Sequence, residues 1–184
     1  MMTLLPAMPA RMAAAWCEVD LCRLGSAQEY VDEVSSILRR GEYLHLRLQA
    51  DLVRGRILVA SGLVEDADPV LRGVVGRGEA AGLTLLSEHA RALRAEALWI
   101  MEQHRTAAND FVLSTRKIAR AGHVPVLMEA ASAQARVMAA DLDPEHIFAM
   151  VSVYLQGQPF YPARLERILA RAWYQQAHGG DPRG

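Results

Sequence analysis

A single lysine, Lys117, and a single asparagine, Asn109, occur among 184 residues; cysteine occurs twice and aromatic residues make up only 6%. Each shortage excludes a class of explanation. With a formal charge of -1, the chain has no surplus positive field for a phosphate backbone or an anionic membrane, so neither nucleic acid nor membrane is an expected partner. No uncharged run approaches the about 18 apolar residues that spanning a bilayer requires. The opening MMTLLPAMPARM has no charge ahead of its apolar residues and two early prolines, which makes it a poor secretion signal. Cys17 and Cys22, read as lying on one helix, would point about 140° apart, so no bridge is expected between them. The expected setting is reducing and cytoplasmic.

Motifs of catalysis are missing as well. There is no C-x-x-C pair for zinc and no G-x-S-x-G elbow. The run G-V-V-G-R-G at Gly73, Gly76 and Gly78 follows no strand and precedes no Lys-Ser or Lys-Thr, so it reads as a helix end rather than a phosphate loop. Two carboxylate-x-x-His pairs, Glu42 with His45 and Asp143 with His146, have the one-face spacing of di-iron bundles. Both sit where helices start, so capping and the helix dipole explain their acids without a metal. The expectation is a protein that is not an enzyme and carries no cofactor or metal.

What is present is apolar residue at 52% against charge at 22%, the balance of a folded domain able to bury roughly two thirds of its unfolded surface. Breakers cut the chain into helical lengths with almost no alternation of the strand kind. A helix ends at Gly25, and Ser26 with Glu29 then forms a capping-box spacing for a helix to Arg40. Residues 43–60 have apolar side chains too widely spread for a one-faced helix and should be buried on two sides. Val64, Ala67, Leu71 and Val74 recur at helical spacing before the glycines at 73, 76 and 78. Helices over 83–103 and 106–121 follow, closed by Gly122 and Pro125. The pattern then gives 126–140 and 144–156, the latter opened by Asp143 and Pro144, an amphipathic helix over 161–176, and a disordered tail at 179–184. The hairpins are thus 10–40, 43–77, 83–121 and 126–156, within one domain over 1–178.

These hairpins repeat. Gly55, Leu58, Gly62, Ala67, Leu71 and Val74 follow the small, large, glycine, small, large, small order of a tetratricopeptide repeat, and the segment resembles that family. Adding forty gives Ala95, Leu98, Ala107 and Phe111, with Glu102 in place of the turn glycine. A further forty gives Ala135 and Met138, with Ile147 at a small position. Going back by 37 from Gly55 and Gly62 gives Glu18 and Gly25. The resemblance, to degenerate repeats of bacterial regulatory and signalling proteins, implies an all-α, right-handed solenoid with a C-terminal capping helix. The solenoid would act as a scaffold or protein-protein interaction module holding a partner's peptide or helix in a concave groove.

Transferring the family's groove positions gives Gln49, Arg56 and Val59; His89, Glu96 and Trp99; and Glu129, Ser132 and Arg136. Trp99 with the two arginines supplies residue types common in binding hot spots, and Arg56 and Arg136 suit an acidic segment. The carboxylate clamp of chaperone-binding relatives has no counterpart, since Lys117 and Asn109 fall on a second helix. Two alternatives stand beside the groove: a helical sensor or enzyme with an enclosed pocket near His89, Glu96 and Trp99, and a homo-oligomer packed through residues 161–176.

Overall fold

A computed structural model describes residues 7–38 and 43–138. The readings made for Glu42, Asp143 and His146, for the helices at 144–156 and 161–176, and for the tail lie outside the described residues. Within them the protein is all-helical, with seven helices and no strand. These are α1 (Met8–Asp20), α2 (Leu24–Leu38), α3 (Leu44–Ala60), α4 (Val64–Ala80), α5 (Thr84–Ile100), α6 (His104–Arg120) and α7 (Val124–Met138).

From α2 onward the helices begin at 24, 44, 64, 84, 104 and 124, twenty residues apart. The regularity comes from one turn used repeatedly. Its middle residue is left-handed at Cys22, Gly62, Gly82, Glu102 and Gly122, with φ between 59° and 77°. At Gly62 the amide donates to the Val59 carbonyl and that of Leu63 to Leu58, and the same pair of bonds recurs at Cys22, Gly82 and Glu102. This is the Schellman closure, which satisfies carbonyls left over at a helix end. The residue after the left-handed one then accepts the first bond of the next helix, as Leu63 does from Ala67 and Leu83 from Ser87. A three-residue connection between helices packed side by side returns the chain alongside itself, so successive helices are antiparallel.

Several boundaries differ from the sequence reading. The first break is at Cys22, and Gly25 and Ser26 lie inside α2, so the Ser26–Glu29 capping box does not form. Cys17 and Cys22 do not share a helix; both are free and exposed. The shift between the first two copies is forty, not 37: Cys22 stands to Gly62 as Gly62 does to Glu102. Nor do Gly73, Gly76 and Gly78 end a helix, because α4 runs on to Ala80. Pro125 sits in the first turn of α7, where its missing N–H leaves no intrahelical bond unmade.

Packing follows from residue size. A methyl group added at Gly55 would come within 2.6 Å of Leu71 Cγ, and one at Gly78 would collide with the Ser87 hydroxyl. These glycines let α3 meet α4, and α4 meet α5, at close range. α3 is buried on both sides: Val53 and Ile57 join a core with Val19, Val31 and Leu38, while Leu48, Leu52 and Val59 join Leu71, Leu93, Leu98 and Phe111. Burying each such large side chain contributes about 1.5–3 kcal/mol. Besides its neighbours in sequence, each odd-numbered helix packs on the next odd-numbered one, α1 on α3, α3 on α5 and α5 on α7; the even-numbered helices make no comparable contact with each other. The odd helices therefore form a continuous row.

Candidate functional site

The row of odd helices bounds a cleft of about 570 Å³ that opens to solvent. α3 and α5 contribute His45, Gln49, Leu52, Leu85, Leu86 and His89; α1 contributes Met12, Trp16, Cys17 and Asp20; α7 contributes Val126 and Glu129. Since α1 and α7 stand at opposite ends of the row and line the same space, the row is curved, with these two helices as walls. The Trp16 indole lies on the His89 imidazole, ring centroids 5.2 Å apart and planes 12° from parallel. Such a stack ties α1 to α5 at the cleft.

The groove positions divide into two groups. Gln49, His89 and Glu129, one position in three successive copies, share the cleft. Arg56 and Glu96, the corresponding later position, are buried, at 8% and 3% exposure, and do not line it. Val59 and Ser132 are buried too. Trp99 stacks on His104, centroids 4.6 Å apart, at the far end of α5. Arg136 lies on α7, and its side chain is outside the described residues. Among the described residues no Arg or Lys lines the cleft, so an acidic segment held by Arg56 does not fit this geometry. Trp16 and His45 were missed. Trp16 is forty residues before Arg56 and eighty before Glu96, but that position is buried away from the cleft in the later copies, so the repeat alone does not place Trp16 there.

A second constellation lies on the opposite side of α5, joining α4, α5 and α6. Arg94 donates to Asp68 at 2.7 Å and to Asp110 at 3.0 Å. Arg91 donates to Glu88 at 3.0 Å, pairs with Glu79, and lies 3.7 Å from Asp110. Lys117 reaches Glu88 at 2.7 Å, and Arg72 pairs with Asp68. Four acids thus meet four cations. Burial pushes the Asp68 carboxyl up, but hydrogen bonds from Arg94 and Arg72 outweigh it and hold Asp68 below its ordinary value. At Asp110 burial prevails over Arg94 and Arg91, and the carboxyl is raised. A neutral, mutually satisfied set of this kind fixes how three helices dock and leaves no charge over for a ligand.

Among the described residues no three His, Cys, Asp or Glu side chains are placed to hold a metal ion, and no described helix is long and apolar enough to cross a membrane. Comparison with protein-family models, curated proteins and solved structures finds no match to this chain.

Proposed function

We propose that this chain is a helical-repeat interaction module of tetratricopeptide-like, right-handed solenoid form, holding a peptide or helix of a partner protein in the cleft across its odd helices. The carrying observation is that Gln49, His89 and Glu129, equivalent positions of three copies forty residues apart, line one cleft together with Trp16. In such an array the first helices of the hairpins sit side by side while the second helices splay, which agrees with the row of odd helices. The period is longer than the 34 residues of that repeat, because each helix from α3 to α6 has 17 residues.

The lining is mainly apolar with a few converging polar groups, and its charged members are Asp20 and Glu129. It suits an amphipathic segment with neutral or basic polar groups. Binding such a segment, the module serves as a scaffold or receiver in signalling or regulation. A small-ligand sensor is the second reading, favoured by a volume of about 570 Å³, within the roughly 300–1,000 Å³ usual for small-molecule sites. Leu85→Glu, at the cleft and only half-buried, tests the first reading. A partner retained from source-cell lysate by the native chain should be lost by this variant with its helical circular dichroism unchanged. Equal retention by both would refute it.

A further inference from the structure

The cleft presents half-buried Leu85, Leu86 and Val126 to solvent beside Trp16. Among the described residues its lining holds no Arg or Lys, so no like charge there repels a basic segment. One wall, α7, is also the last described helix, and the chain runs on from 139 to 184. Within that stretch lies Y-P-A-R-L-E-R-I-L-A-R-A-W-Y, from Tyr161 to Tyr174. At helical spacing Leu165, Ile168, Leu169 and Trp173 fall on one stripe, and Arg164, Arg167 and Arg171 fall away from it. This segment has the apolar face and the basic polar face that the cleft suits.

We propose that residues 161–176 of this same chain dock in the cleft as a built-in occupant that a partner has to displace. The proposal rests on the cleft reading above and deepens it by naming the segment. Docking takes the apolar stripe and the exposed edges of Leu85, Leu86 and Val126 out of water together, as in other helix-in-groove contacts, and leaves the arginines at the rim. The tether is long enough. From Glu129, at the cleft, to Met138 the helix rises only roughly 14 Å, whereas residues 139–160 span roughly 70 Å when extended. A flexible tether of this kind holds its end near its target at an effective concentration on the order of millimolar. A second copy supplies the same segment only at the concentration of the chain itself, about a thousandfold lower at micromolar protein. The occupant is therefore the chain's own segment.

The test uses the cleft's own thiol. Cys17 lines the cleft and Cys22, in the turn after α1, does not; both are exposed. In the full chain Leu169→Cys is combined with Cys22→Ser, leaving the cleft thiol, or with Cys17→Ser, leaving the turn thiol. Disulfide formation at micromolar protein is followed on non-reducing gels with peptide mapping, each native thiol's rate being scaled to its reaction with oxidised glutathione. The bridge within one chain from 17 to 169 should form at least about tenfold faster than that from 22 to 169. Ile168→Glu should abolish the difference with helical circular dichroism unchanged, and should increase retention of the partner. Equal scaled rates from the two thiols, a difference that survives Ile168→Glu, or bridges only between chains would overturn the proposal. If the native chain then still retains a partner that Leu85→Glu loses, the cleft reading stands without it.

Discussion

Replacing Arg94 with Met removes one guanidinium that holds two carboxylates at once, on α4 and on α6. The native side chain is 19% exposed, and Asp68 and Asp110 are each 10% exposed, so water replaces the lost bonds only in part. Removing one member of a buried ion pair costs about 3–5 kcal/mol. Here the loss is smaller, because Asp68 keeps Arg72 and Asp110 keeps Arg91 nearby. We expect about 2 kcal/mol at pH 7, or a midpoint lowered by about 6 °C for a chain of this size. Arg94→Lys, which keeps the charge and loses the fork, should cost about half as much. Urea unfolding followed by circular dichroism at pH 7 and pH 3 separates charge from packing: the Met variant's deficit should shrink at pH 3, where the stranded carboxylates take up protons. A deficit under about 0.5 kcal/mol at pH 7, or one unchanged at pH 3, would refute this account of the network.

Three further outcomes follow from the geometry. Asp68 is held below its ordinary value, so its share of stability is lost as pH falls below about 4; Asp110 is raised, so its share grows as pH falls toward about 4. In urea titrations across pH 3–6, Asp68→Asn should therefore flatten the acid limb and Asp110→Asn should steepen it. Glu102 holds a left-handed conformation at φ 61°, and Glu102→Gly should stabilise by about 0.5–1 kcal/mol. A Cβ at Gly76 meets nothing within 4 Å, while one at Gly55 meets Leu71, so thermal unfolding should show Gly76→Ala stabilising by about 0.5–1 kcal/mol and Gly55→Ala destabilising by about 1 kcal/mol.

The helices were legible because breakers and apolar spacing agree over most of the described chain, and α3 shows the clearest case. Its apolar residues on two faces announced the two cores that it joins. The turns were harder to read, since the left-handed position is glycine at 62, 82 and 122 and is filled by Cys22 and Glu102 elsewhere. Gly25 therefore drew the first boundary away from Cys22, and the copy shift moved with it. Glycines inside α4 misled in the opposite direction: Gly78 serves the close approach of Ser87, nine residues on and across the turn in the next helix. The groove position at 49, 89 and 129 could be read from the repeat. The burial of Arg56 and Glu96 could not, because it depends on how the helices tilt against one another. The charge network has no local signature in the sequence, since the bonds from Arg94 and Lys117 cross between helices.

The most direct test of the cleft as a partner site is site-specific photo-crosslinking in source cells, with benzoylphenylalanine placed at Gln49 or Leu85 and, on the even-numbered helices, at Arg72 or Val112. The account predicts a discrete protein adduct from 49 and 85 and none from 72 and 112. No adduct from 49 and 85, or the same adduct from all four positions, would contradict it.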